Sequence, residues 1–416
     1  MAEQLHRIVV VGGGAGGLEL VTRLGHRLGR RRRAHITLID KERTHVWKPL
    51  LHEIAAGSMD EDMHALDYLA QAYWHGFTYR VGAMTGIDRR RRMVRVAPYV
   101  DDEGRLVTTG QEIGYDTLVL AIGSTTNDFG TPGVKEYAIA LDTAGGAARF
   151  HRRLVNACIR AHAQEAPLAP EQLHVAIIGA GATGTELAAE LHKTTRQLVA
   201  FGLDRINPDR HIRIDLIEAA PRILPALPER LSRSAVQLLE GLGVRIHCGA
   251  AVAEVLPNGV RLASGLVIPA ELVVWSAGVK APDILRDIGG LETNRLNQLL
   301  VRPTLQTTRD DDIFAIGDCA ACPWPGYDRL VPPRAQAAHQ QASHLARQLP
   351  RHLRGEPLKD WAYRDFGSLV SLGDYSTVGN LMGKLIGGNL FIEGIFAGLM
   401  YKSLYKMHQL ALHGVT

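Results

Sequence analysis

The tightest constraint on this chain is a glycine turn that occurs twice, each time between a β-branched run and a helical stretch. Ile8-Val9-Val10-Val11 passes directly into Gly12-Gly13-Gly14-Ala15-Gly16-Gly17. Later, His174–Ile178 passes into Gly179-Ala180-Gly181-Ala182-Thr183-Gly184. A short apolar run of this kind reads as a parallel strand buried on both faces. Helical patterns begin at Leu18 and cover residues 185–199. The next strands, residues 35–39 and Arg213–Ile217, end in Asp40 and Glu218. Strand, glycine turn, helix, strand and terminal acid make up the fingerprint of a dinucleotide site. Gly12, Gly14 and Gly17, with Ala15 and Gly16 between them, let the backbone approach a pyrophosphate, as do Gly179, Gly181 and Gly184. The helix N-terminus adds free N–H groups and partial positive charge. The acid accepts from ribose hydroxyls, and at Glu218 it disfavours a cofactor carrying an extra phosphate. Arg222, close by, is read as a surface residue.

The repeat has a period of one nucleotide-binding unit, so it is not a short-period solenoid. Residues 115–122 form an apolar strand closing on Ala121-Ile122-Gly123, and residues 271–276 close on Ala277-Gly278 in the same way. Residues 200–212 read as an insertion in the second unit, and residues 312–316 as a strand leading into Gly317-Asp318. The expected fold class is therefore α/β with two Rossmann-like dinucleotide-binding domains.

Composition narrows the alternatives. The 43 glycines among 416 residues fall in tight clusters, which points to backbone packed near ligands. A net charge of +4 lacks the basic excess of a nucleic-acid binder, so no nucleic-acid partner is expected. Two arginine runs, residues 30–33 and 89–92, read as solvated connections, with attraction to anionic headgroups as the sharper alternative. Four cysteines do not make a disulfide scaffold. Cys319 and Cys322 are read as two small packed thiols, with a redox pair or soft-metal clip as the alternative, and no metal site is expected. The first apolar run goes straight into glycines, so no secretory leader is expected, and no apolar run is long enough to span a bilayer.

Two such units resemble the two-dinucleotide-binding flavoprotein superfamily over roughly residues 7–330. The resemblance implies FAD on the first unit and NADH on the second, with Gly317 and Asp318 in the third FAD motif. It implies a discontinuous FAD domain (residues 1–140 and 295–364), an inserted NADH domain (165–290) and a C-terminal region (365–416). The disulfide reductases of this superfamily carry a cysteine pair near the first unit, and this chain has no cysteine before Cys158.

Three further stretches narrow the resemblance. They are His45-Val46-Trp47-Lys48-Pro49-Leu50-Leu51-His52-Glu53 just past Asp40 and Lys41, Ala335-Gln336-Ala337-Ala338-His339-Gln340 after two prolines, and the tail over residues 399–409. Together they resemble the type II, non-proton-pumping NADH:quinone oxidoreductases of bacterial respiratory chains. The implied activity is hydride transfer from NADH to FAD, then reduction of a membrane quinone. In that family the Ala335–Gln340 motif lines the quinone site. Gln336 and Gln340, four apart on one helical face, suit quinone carbonyls without adding charge, the alternative being that they satisfy buried backbone. Glu186 matches a family glutamate near the nicotinamide and is a candidate proton-relay or nicotinamide-orienting group. Lys384 is a candidate for the quinone or flavin edge, and Trp47 and Lys48 are expected to shape the flavin pocket.

Residues 390–412 show apolar positions at spacings of three or four with basic and tyrosine residues between them. They read as one amphipathic helix lying on a phospholipid surface. The expected location is the cytoplasmic face of a bacterial inner membrane, peripheral, as a homodimer. The competing readings are another quinone-linked flavoprotein, such as a sulfide:quinone oxidoreductase, and an NADH-binding flavoprotein sensor.

Overall fold

A computed structural model describes residues 5–372, 376–383 and 388–393. Its frame is two parallel sheets built on the same plan. The first runs in the order Gln306–Thr307, Asp310–Ala315, Thr117–Leu120, His6–Val11, Ala34–Asp40, Thr78–Val81, all parallel except the short first strand. The second runs Ala138–Ala140, Leu272–Trp275, His174–Ile178, Arg213–Ile217, Arg245–His247, all parallel. In each, the strand before the glycine turn is central. Its successor lies on one side and a returning strand on the other. Between outer and returning strands each unit inserts a three-stranded antiparallel sheet: Met84–Asp88, Met93–Val96 and Gln111–Gly114 in the first, Val252–Leu256, Gly259–Leu262 and Val267–Pro269 in the second. The duplication seen in the glycine turns thus extends through the whole unit.

The central strands are buried on both faces, with Ile8, Val9, Val10, Val175, Ala176 and Ile177 at 0–1% exposure. This is what parallel strands sandwiched between helices require. Helix Ala15–Leu24 packs beside helix Ala335–His352.

The structure departs from expectation in two places. Ala138–Ala140, expected at the end of the first segment, pairs with Leu272–Trp275 and so belongs to the second sheet. Residues 390–393 are not the start of a helix. They lie in the strand Gly388–Glu393, the last of an antiparallel sheet with Gly367–Leu372 and Ser376–Gly383. In the sequence Gly388 and Gly394 bracket residues 389–393, which disfavours a helix there, and the run pairs instead with Ser376–Gly383. Residues 394–412 of the expected helix, and Lys384, lie outside the described residues. Among the described residues no helix is long and apolar enough to cross a membrane.

The arginine runs behave differently from each other. Arg30 to Arg33 are exposed. Arg89 and Arg92 are tied to Asp310 and Asp312, which fastens the antiparallel insert to the sheet, and Arg91 is tied to Glu112 within the insert itself.

Candidate functional site

The strands of both sheets end at one cavity of about 2210 Å³. It is lined by the first turn (Gly12, Gly14, Ala15, Gly16, Gly17), by Asp40, Lys41, Trp47, Lys48, Ala121 and Gly123, and by Gly317 and Asp318. From the second unit it receives Gly181, Glu186 and Gly278, and from helix Ala335–His352 it receives Ala335, Gln336 and Gln340. The carboxyl ends of parallel strands are where such folds bind ligands. Gly179, Gly184, Glu218 and Ala277 do not line the cavity, because they sit behind the second turn and shape it.

Both turns are built alike. Gly12 has φ +101° and Gly179 φ +98°, a region side chains avoid. A Cβ on Gly17 would lie 1.8 Å from the Gly12 carbonyl oxygen, and one on Gly184 2.0 Å from that of Gly179. A Cβ on Gly14 or Gly181 would meet nothing within 4 Å, so the backbone stands open there. Asp40 accepts from the Gly13 and Glu42 N–H groups, and Glu218 accepts from Ala180 (2.7 Å) and Ala220 (2.9 Å). Each acid therefore braces its own turn. Burial pushes the Asp40 carboxyl above its ordinary range, opposed by those two N–H donors. Arg222 donates to the Leu224 and Pro225 carbonyls, so its charge is spent on its own loop.

A flavin dinucleotide fits this cradle. The open backbone at Gly14 faces the N-terminus of an apolar helix, and a half-buried carboxyl, Asp318, lines the same space. Ser124 Oγ donates to Asp318 Oδ2 at 2.7 Å, and burial pushes that carboxyl up. Gln341 Oε1 accepts from the Gly317 N–H (2.7 Å) and so holds the third motif in place. Lys48 is exposed and donates to the Ser124 carbonyl (3.3 Å). The Trp47 ring lies 5.5 Å from that of His339.

Glu186 is buried. Its Oε1 accepts from the Ser371 N–H (3.0 Å), and its Oε2 stands 3.4 Å from Nδ1 of the buried His52. Burial lowers the His52 pKa to about 4, so this imidazole is neutral at ordinary pH. Gln336 donates to the Gly367 carbonyl (2.9 Å) and accepts from the Phe366 N–H (3.2 Å). Gln340 donates to the Arg364 carbonyl (2.8 Å) and accepts from its N–H (3.1 Å). Both amides are engaged by main chain at the cavity wall. This is the alternative that the sequence left open for them.

Sequence reading missed Glu19, which is 1% exposed on the helix after the first turn and bonded by His339, Ser343 and Arg23. The available signal was a carboxylate on the otherwise apolar run Leu18–Val21. Burial alone would raise the Glu19 carboxyl, but its bonds to His339 and the charges of His339 and Arg23 bring it below its ordinary value. Ser124 and Gln341 carried no motif of their own, and His52, although inside the stretch His45–Glu53, was given no role. Cys319 and Cys322 are fully buried, and burial drives both thiols up to about 12, which makes them poor nucleophiles. Among the described residues, no group of three or more His, Cys, Asp and Glu side chains is placed to hold a metal ion.

Comparison with known proteins agrees with this geometry. Residues 6–342 match the model of the family described as pyridine nucleotide-disulphide oxidoreductase. A type II NADH:quinone oxidoreductase of Haemophilus influenzae is 43% identical over 99% of this chain and 95% of its own length. One from Staphylococcus aureus is 28% identical over 93% and 92%. Among solved structures, NDH2 from Plasmodium falciparum in complex with NADH superposes with a TM-score of 0.82, covering 98% of this chain and 97% of that one at 17% identity.

Proposed function

The chain belongs to the pyridine nucleotide-disulphide oxidoreductases, and on that premise we propose that it is a type II NADH:quinone oxidoreductase, using FAD to pass electrons from NADH to a quinone. The observation that carries this reading is the single cavity that joins the first glycine turn, the second glycine turn and the Gln336–Gln340 helix face. When bound, FAD supplies a ring that accepts hydride from a nicotinamide and yields two electrons to a second acceptor.

The chain's own residues hold and orient these partners. The turn at Gly12–Gly17, with Asp40, receives the FAD pyrophosphate and ribose, and Ala121, Gly123, Gly317 and Asp318 border the rest of the cofactor. Trp47 and Lys48 shape the ring's pocket. The turn at Gly179–Gly184, with Glu218, receives NADH, and Ala277 and Gly278 close its far side. Glu218 favours NADH over a phosphorylated cofactor by charge, and Arg222 is too committed to its loop to reverse that. We assign to Glu186, which accepts from the Ser371 N–H and stands beside His52, the task of orienting the nicotinamide or holding a proton taken up in quinol formation. Ala335, Gln336 and Gln340 border the quinone. Lys384 is assigned to the acceptor side on its place in the chain.

We assign FAD to residues 1–140 and 295–364, NADH to residues 165–290, and surface attachment to residues 365–416. The last three residues of the first stretch, Ala138–Ala140, pair with the second sheet and go with the NADH domain. The segment beyond Glu393 keeps the spacing of an interfacial helix in its sequence. It supports peripheral association with a phospholipid surface, at the cytoplasmic face of a bacterial inner membrane, and a homodimer contact. Removal of residues 394–416 should free the protein from vesicles of anionic phospholipid, and pelleting unchanged by the deletion would sink that assignment.

The test of function is anaerobic stopped-flow absorbance of the FAD-loaded protein, with NADH first and a short-chain quinone second. Rapid bleaching followed by rapid recovery is expected. Bleaching without recovery would leave the two nucleotide sites and remove the quinone. Sulfide should not bleach the flavin, because the thiols that such chemistry needs are absent from the cavity lining.

A further inference from the structure

Helix Ala335–His352 carries a row of polar side chains at intervals of four: Gln336, Gln340, His344 and Gln348. At that spacing they share one face. Every one of them is bonded to the main chain of the segment that follows the helix. Gln336 bonds the Phe366 N–H and the Gly367 carbonyl, and Gln340 bonds both polar groups of Arg364. His344 Nε2 lies 2.9 Å from the Lys359 carbonyl, and Gln348 Oε1 accepts from the Lys359 N–H at 3.0 Å. Residues 359–367 therefore run back along the helix, opposite in direction, as an extended strap. Trp361 and Tyr363 are buried in the first core, and Ala362 and Arg364, alternating with them, line the cavity. The strap then enters strand Gly367–Leu372, where Glu186 takes the Ser371 N–H. Three of the residues that sequence singled out as chemical thus converge on one stretch of main chain, held from the first unit by glutamines and from the second by Glu186.

We infer that His344 and Gln348 are positioning residues for the second electron acceptor: together with Gln340, which itself borders the cavity, they set the strap 359–367 as its acceptor-side wall and act on the acceptor through it. The inference rests on the quinone reading of the cavity. The strap has main-chain partners only where the Trp361 N–H meets the Pro303 carbonyl (2.8 Å) and where Gly367 enters its strand, so its remaining N–H and carbonyl groups look to side chains. Four residues at helical spacing do this along nine residues of strap. Neither His344 nor Gln348 belongs to the Ala335–Gln340 motif, and Gln348 does not line the cavity.

The experiment uses the full chain loaded with FAD and a short-chain quinone. Gln348→Ala should raise the quinone KM about five-fold, the worth of one buried hydrogen bond, with NADH bleaching as fast as in the parent. His344→Ala should do the same, and His344→Gln, which restores an N–H donor toward the Lys359 carbonyl, should recover most of the loss. Combining Gln340→Ala with Gln348→Ala should give less than the product of the single effects, since both act on one strap. Hydrogen exchange at the Lys359, Arg364 and Phe366 amides should quicken in Gln348→Ala. Quicker exchange with an unchanged quinone KM overturns the proposal. So does a parallel fall in the NADH half-reaction, no recovery in His344→Gln, or full multiplication of the paired effects. A parent enzyme that bleaches with NADH but reduces no quinone overturns the acceptor reading itself, which the variants alone cannot do.

Discussion

The two glycine turns share a plan and differ in what lies over them. At the first, Gly13 and Gly16 stand where the second has Ala180 and Thr183. A Cβ on Gly13 would fall 2.4 Å from the Tyr68 ring, and the Gly13 carbonyl accepts from Tyr68 Oη (2.8 Å) and lies 2.9 Å from His45 Nδ1. A Cβ on Gly16 would lie 3.2 Å from the Ala338 carbonyl oxygen, where helix Ala335–His352 crosses. At the second turn, Gly181 and Ala182 are exposed and Thr183 is half-buried. The first turn is enclosed on its outer side by a helix and a tyrosine, and the second is open. An enclosed cradle suits a group that stays, and an open one suits a group that must leave after each turnover.

The largest effect is expected from giving the first turn the side chains of the second. Gly13→Ala drives a methyl into the Tyr68 ring and should cost about 2–4 kcal/mol, seen as loss of flavin absorbance per polypeptide and a lower melting temperature. Ala180→Gly should leave both unchanged. Equal losses from the two changes would dissolve the contrast between the turns.

Next come the bracing acids. Asp40→Asn removes the charge from two backbone donors and should weaken FAD retention about ten- to hundred-fold, the range for hydrogen bonds to a charged group. Glu218→Gln should raise the NADH KM by about ten-fold with the flavin retained. Flavin loss in Glu218→Gln would mean that the second turn supports the first, and the two would no longer be separable.

Gly16→Thr should have a smaller effect. The Ala338 contact is tight rather than impossible, so about 1–2 kcal/mol is expected in thermal unfolding, with Thr183→Gly close to neutral.

Legibility in the sequence follows the same division. The turns, their acids and the strands that feed them were readable because backbone approach to a phosphate restricts residue type at fixed spacing, as at Gly12, Gly17, Gly179 and Gly184. What covers the first turn was not readable. Tyr68 carries no local mark, and although His45 and Ala338 fall inside quoted stretches, nothing in those stretches says that the three distant segments meet over Gly13 and Gly16. Gln336 and Gln340 were found by a motif, but their partners, Arg364 to Gly367, are an irregular stretch without periodicity, so the strap emerged only with the fold. Residues 390–393 of the strand Gly388–Glu393 were taken for helix because Phe391 and Ile392 fit a helical stripe as well as a strand. Pairing with Ser376–Gly383 decides it, and pairing is not a local property.

The last test uses pH. Burial lowers His45, beneath the first turn, and His52, beside Glu186, each to about 4. Above about 6.5, the ordinary imidazole value, both are neutral folded or unfolded, and their full contribution to stability is present. Between 6.5 and 4 the unfolded chain takes up protons that the folded chain refuses, so stability falls with pH across that window. The slope should reach roughly 1.4 kcal/mol per pH unit for each imidazole. His52→Asn should remove one imidazole's share of that slope, and His45→Asn the other. If only His45→Asn flattens the curve, the Glu186 carboxylate 3.4 Å away is already keeping His52 protonated in the folded chain. In that case the proton that quinol formation takes up has a ready store beside Glu186, and the enclosed turn above His45, not the open one, governs acid sensitivity.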